Sequence, residues 1–228
     1  MYGSRLKVKR FEDRILAYES VPIENETGKI LFYGHSLFTR CSFITKAGAD
    51  NPKLVDEVRM KDGSQAIVNH GFGTSSADDL LYYYPRMVRP YKPRVLVLAT
   101  GGNDIGFGYS PKDIMEILAR VIDWAQADFP GIKIICFGCS PSTKYKGDMT
   151  VNIRKRNEFD QILEDYCMRK ENCTFVSLVN QPFFYETPED VGNRDRVRDD
   201  LFVPDGHMNP LGYTLFFDFV REVLDEYL

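Results

Sequence analysis

Short apolar runs rich in β-branched residues recur along the chain: KILFYG (29–34), RVLVLAT (94–100), IKIICFG (132–138) and TFVSLV (174–179), with a shorter QAIVNH (65–70). Each is bounded by Gly, Asn or Ser, the signature of strands buried on both faces of a parallel sheet. Between them the period changes from continuous to helical. Residues 111–128 place Ile114, Ile117, Leu118, Val121, Ile122 and Trp124 on one stripe, with Pro111 following Ser110, a plausible N-cap. Residues 152–170 repeat the pattern with Ile153, Phe159, Ile162, Leu163 and Tyr166, and residues 210–227 with Tyr213, Phe216, Phe217, Val220, Val223 and Leu224. Phe11, Ile15 and Tyr18 predict a short leading helix. Strands alternating with helices predict a single α/β domain over 1–228, a three-layer α/β/α sandwich around a parallel five-stranded sheet.

The stretch 180–204 fits neither period and is too long to be an idle connection. Two readings stand for it. It is a lid or substrate wall with Phe183, Phe184 and Tyr185 as its apolar part, or it is a solvated surface loop.

Composition narrows the function classes. A net charge of −4 argues against a nucleic-acid binder, which would carry a basic patch. No run approaches the roughly 18 apolar residues that cross a bilayer. The charged start MYGSRLKVKRFEDRIL lacks the apolar stretch of a signal peptide, so the expected location is cytoplasmic. The five cysteines suggest reduced thiols and no disulfide framework. Cys136 and Cys139 form a C-x-x-C, but they end an apolar run and read as small buried residues.

In open parallel sheets, ligands bind beyond the carboxyl ends of the strands. There the chain places Gly34-His35-Ser36, then Asn69-His70-Gly71, then Gly101-Gly102-Asn103-Asp104, and before the last helix Asp205-Gly206-His207. A serine on a tight strand-to-helix turn points its backbone N–H at any negative charge forming beside it. A glycine amide and an asparagine amide can complete an oxyanion hole, and a histidine can move the serine proton. Asn69 and Asp104 read as structural, bonding the loops that present these groups.

The segments ILFYGHSLFTR, IVNHGFGTSSADDLLYY, LATGGNDI and LFVPDGHMNPLGY resemble, in order, the four signature blocks of the SGNH (GDSL-type) hydrolases, and they span nearly the whole chain. The resemblance implies a flavodoxin-like three-layer fold and metal-free, cofactor-free hydrolysis of a small-molecule acyl ester. It assigns Ser36 as nucleophile, His207 as base, and Ser36, Gly71 and Asn103 as oxyanion donors. Two departures stand out. His35 occupies the middle of the family's G-D-S. Only Gly206 separates Asp205 from His207, where the family usually has two residues, which leaves Pro204 at the expected acid position. Asp205 is the nearest acid; the backbone, Asp200 or a Ser-His dyad are the alternatives.

Two further hypotheses remain open at the level of sequence. The three histidines, His35, His70 and His207, all fall in these loops and would bind a zinc ion if they converged. The altered Asp-to-His spacing would also suit a fold kept for binding an acylated carbohydrate or a protein partner, with catalysis lost. Among esters the sequence favours short acyl groups, acetyl foremost, because no long apolar lid is evident.

Overall fold

The computed structural model describes residues 10–43, 46, 48–145 and 151–228. The first nine residues, part of the leading segment, lie outside them. Among the described residues, eight α-helices and five strands follow one another: α1 (Glu12–Glu19), β1 (Ile30–Gly34), α2 (Ser36–Thr39), α3 (Leu54–Glu57), β2 (Ile67–Gly71), α4 (Ala77–Met87), β3 (Val95–Ala99), α5 (Gly102–Phe107), α6 (Pro111–Asp128), β4 (Lys133–Phe137), α7 (Val151–Met168), β5 (Cys173–Val176) and α8 (Pro210–Leu224). All strand pairs are parallel, in the order β2-β1-β3-β4-β5. Each predicted apolar run became a strand, and each predicted helical stripe a helix.

The alternation within strands sorts the core into two layers. Leu31, Tyr33, Val68, Leu96, Leu98, Ile134 and Cys136 face α1, α4, α6 and α7. Ile30, Phe32, Ile67, Val95, Val97, Ile135 and Phe137 face α2, α3 and α8. The second face has one long helix against three on the first, so something else must cover the rest of it. That cover is the stretch after β5. It forms a chain of single 3-10 turns (Pro182–Phe184, Pro188–Asp190, Arg194–Arg196, Asp199–Leu201) and buries Phe184, Tyr185, Val197 and Leu201. Its buried side chains belong to the packed layer, its remaining residues are half-buried or exposed, and near its end Phe202 reaches the cleft as a wall, while Phe183, Phe184 and Tyr185 do not.

Helix starts carry their expected caps. Ser110 accepts the Asp113 N–H at 3.2 Å before α6, and the Ser76 N–H and Oγ both bond Asp79 at 2.9 Å at the start of α4. Among the described residues no helix is long and apolar enough to cross a membrane. Cys136 and Cys139 are both buried, as free thiols.

The order β2-β1-β3 means the chain crosses over β1 to reach β3. The crevice at this reversal opens at the carboxyl ends of β1 and β3, which are the strands that lead into Ser36 and Asn103.

Candidate active site

Ser36 is the first residue of α2, immediately beyond β1. The turn is closed by its neighbour: the Leu37 N–H donates to His35 Nδ1 at 3.2 Å, so the imidazole caps α2. His35 is buried. Burial, helped by the charges of Arg156 and His207, pulls its pKa down to about 3. It is therefore a neutral ring with Nδ1 as acceptor, and it does the capping work that an aspartate oxygen would do at this place.

His207 reaches across from the turn before α8. Its Nε2 lies 3.0 Å from Ser36 Oγ, and its Nδ1 lies 2.9 Å from Asp205 Oδ1. The carboxylate fixes the proton on Nδ1, which leaves Nε2 to accept the serine O–H. The His207 backbone N–H also donates to Asp205 Oδ1, at 3.1 Å, and Arg40 Nη2 donates to Asp205 Oδ2 at 2.6 Å. Burial raises the Asp205 pKa, but these bonds from His207 and Arg40 outweigh it and hold the group down at about 2. Burial brings His207 below the ordinary histidine value, with the Asp205 hydrogen bond opposing it.

The short Asp-Gly-His spacing works because of Gly206. Its φ of +82° turns the chain back at once, so that Asp205 and His207 meet through their side chains. The Ser142 hydroxyl donates to the Gly206 carbonyl at 2.7 Å and pins this turn. Asp200 is engaged elsewhere, by Arg198 at 2.6 Å.

Asn103, the second residue of α5, lines the same cleft. One of its amide hydrogens goes to the Ser75 carbonyl at 3.0 Å, which orients the group and leaves the second free to point elsewhere. Gly71, by contrast, is committed to structure. Its N–H donates to Asn69 Oδ1 at 3.0 Å, its carbonyl accepts the Tyr18 hydroxyl, and its missing side chain makes room for Phe38 and Thr39. The glycine of this block that borders Ser36 is Gly73: a methyl placed on it would lie 3.9 Å from Ser36 Cβ. The sequence carried the signal, two glycines one residue apart, and only the direction of the strand decides between them.

Asn69 and Asp104 have the structural roles expected of them. Asn69 Nδ2 donates to the Phe38 carbonyl at 2.9 Å and ties α2 to β2. Buried Asp104 accepts the Ala77 and Gly101 amides at 2.7 and 3.0 Å and joins α4 to α5.

The three histidines do not converge. His70 Nδ1 donates to the Met87 carbonyl at 2.7 Å and the ring packs between Tyr18 and Tyr91, while His35 and His207 are engaged as above. The zinc reading of His35, His70 and His207 therefore fails on geometry. Phe183, Phe184 and Tyr185 also leave the site. Phe184 and Tyr185 are buried, Phe183 packs on Phe219, and none of the three lines the cleft. Phe202, Met208 and Ser142 form its walls instead. The cleft holds about 130 Å³, well under the roughly 300–1,000 Å³ of pockets for drug-sized ligands.

A family model described as GDSL-like lipase/acylhydrolase matches residues 32–215. No curated protein matches the chain. Among solved structures, the chain is similar to a GDSL-like lipase from Bacteroides thetaiotaomicron, with 16% identity, 96% of this chain and 98% of that one covered, and a TM-score of 0.69. It is also similar to a variant of an acetyl-xylooligosaccharide esterase from Geobacillus Stearmophilus (17% identity, 87% and 96% covered, TM-score 0.63). A third likeness is to an acetyl xylan esterase (18% identity, 86% and 99% covered, TM-score 0.62). At these identities the structures speak to the fold.

Proposed function

Because the chain belongs to the GDSL-like lipase/acylhydrolase family, we propose that it is a serine esterase that removes short acyl groups, with Ser36 as nucleophile and His207 as base. The observation that carries this reading is the hydrogen-bonded line Ser36–His207–Asp205, with contacts of 3.0 and 2.9 Å. An idle serine at a helix start has no need of an imidazole whose far nitrogen is held by a carboxylate.

The reaction runs in two halves. His207 Nε2 takes the proton of Ser36 as Oγ attacks the ester carbonyl, and Asp205 stabilises the imidazolium that forms. The Ser36 amide belongs to the first turn of α2, where N–H groups lack acceptors within the helix. That amide, the Gly73 backbone and the second Asn103 amide hydrogen are the oxyanion donors we assign, with Gly73 in the place first given to Gly71. The loss of one such donor costs ~10²–10³ in rate. His207 then returns its proton to the leaving alcohol, and water activated by the same nitrogen releases the acid. No step calls on a cofactor.

The small cleft supports a short acyl group, and the two acetyl esterases of similar fold favour acetyl on a carbohydrate. The test is hydrolysis of p-nitrophenyl acetate, butyrate and octanoate by wild type and Ser36→Ala, with fluorophosphonate labelling alongside. Turnover that falls with chain length and vanishes with Ser36, together with labelling of Ser36, is the expected result. Folded protein that neither turns over any ester nor takes the label would support the competing reading, a binding protein for an acylated carbohydrate or a protein partner.

A further inference from the structure

The Asp205 carboxylate is the least enclosed member of the line. Its side chain is 53% exposed, and it sits on a turn of one residue between itself and His207. A carboxylate in that position samples several rotamers unless something outside the turn holds it. Arg40 supplies that hold from the end of α2.

Arg40 follows Ser36 by four residues. Its N–H donates to the Ser36 carbonyl at 3.2 Å, so the two side chains stand on one face of the single turn α2. The Arg40 side chain is 19% exposed, and its backbone is fastened in turn by Asn51, whose Nδ2 donates to the Arg40 carbonyl at 3.1 Å. The guanidinium bonds Asp205 Oδ2 at 2.6 Å, while Oδ1 takes both His207 hydrogens. The two oxygens thus have separate duties: one faces the base, the other faces the helix that carries the nucleophile. A charge-assisted bond of this length is among the stronger kinds.

We propose that Arg40 is a positioning residue for the reaction, bracing Asp205 from the nucleophile's own helix so that an Asp-Gly-His turn can serve as acid and base. The proposal rests on the esterase reading. Arg40 touches neither Ser36 Oγ nor the reacting carbon. It acts through Asp205, and its loss shows in kcat and leaves KM alone. It also explains how the shortened spacing works: a carboxylate that lacks one residue of reach is steadied by a partner from a distant segment.

The test is a double-mutant cycle on p-nitrophenyl acetate with Arg40→Ala, Asp205→Asn and the pair. Arg40→Ala should lower kcat ~10-fold with KM unchanged within twofold, and Asp205→Asn should lower kcat by ~10³ or more. In the Asp205→Asn background, adding Arg40→Ala should cost less than about twofold, because the residue it acts through is already disabled. Arg40→Lys keeps the charge without the planar fork, and should recover part of the loss. It also provides a folded comparison if the alanine variant is unstable. A merely structural arginine would give the same loss in both backgrounds and no split between kcat and KM, and either result overturns the proposal. Wild-type turnover abolished by Ser36→Ala but untouched by Arg40→Ala would overturn it and leave the esterase reading standing. Inactive, unlabelled wild type would overturn both.

Discussion

Gly206→Ala tests the tightest turn in the site. Gly206 has φ +82°, where an L side chain costs about 1–2 kcal/mol. The new methyl would also sit on the Ser142 hydroxyl oxygen and 2.7 Å from Lys144 Cβ. Moving Ser142 Oγ breaks its 2.7 Å bond to the Gly206 carbonyl, worth about 1 kcal/mol net. The local strain therefore comes to about 2–3 kcal/mol. Asp205 is exposed and Gly206 and His207 only partly buried, so the turn can shed this strain by shifting and need not pass it to the core. A shift of about 1 Å in a group that must meet Ser36 Oγ costs ~10² in rate. The variant should lose ~10²-fold in kcat/KM on p-nitrophenyl acetate while its Tm falls by less than about 5 °C, since retaining all the strain would lower it by roughly 4–12 °C. Activity within twofold of wild type would refute the claim that glycine geometry at 206 joins Asp205 to His207.

The pH profile is a second check. Activity should fall on the acid side as His207 Nε2 takes up a proton, with a midpoint in kcat/KM below the ordinary histidine value because burial lowers its pKa; a midpoint above about 6.5 would contradict this. Away from the site, burial pushes Glu26 up to about 7, and its Oε2 and His70 Nε2, 3.9 Å apart, make no hydrogen bond among the described residues. Its folded pKa is raised, so its contribution is present at low pH and lost as pH rises through about 7. Glu26→Gln should accordingly stabilise by about 2 kcal/mol at pH 8 and by almost nothing near pH 4, as read from urea midpoints; a variant less stable than wild type at pH 8 would refute the assignment. Arg194→Met leaves Asp160 buried without its 2.9 Å partner and should cost ~3–5 kcal/mol, with Asp160→Asn recovering part of it. A loss under about 1 kcal/mol in urea melts would show that the pair is not holding the segment after β5.

Strands β1 to β4 were legible because strands buried on both faces are largely apolar, whereas β5, at the sheet edge, is only partly buried. The meeting of Ser36 with His207 was legible because short motifs place the serine just beyond β1 and the histidine just before α8. Other features were decided by contacts between distant residues. Helix α4 is a local exception: Pro85 near its end looks like a break, and the Ser76–Asp79 cap three residues apart sets its start. Gly71 and Gly73 look alike as letters, and only the pairing of β2 with β1 sends the first into the core and the second toward Ser36. Phe183, Phe184 and Tyr185 look like a lid because nothing local says that the second sheet face lacks helices. Arg194 is what anchors that stretch, through bonds to the Cys139 carbonyl at 3.0 Å and to Asp160. Arg40 is ordinary in sequence, and its place became visible only with Asp205 beside it.

The 3-10 cover of the second sheet face also bears on how this cleft can be reshaped. Phe202 stacks on buried Phe184 with ring centroids 6.0 Å apart, and the same Phe202 forms a wall of the cleft. A change of volume at buried Phe184, which does not line the cleft, therefore reaches the cleft wall through one aromatic ring. The shape of the cleft can thus drift through mutations that touch none of its lining, and a library aimed at reshaping it should include the interior beneath the wall as well as the wall itself.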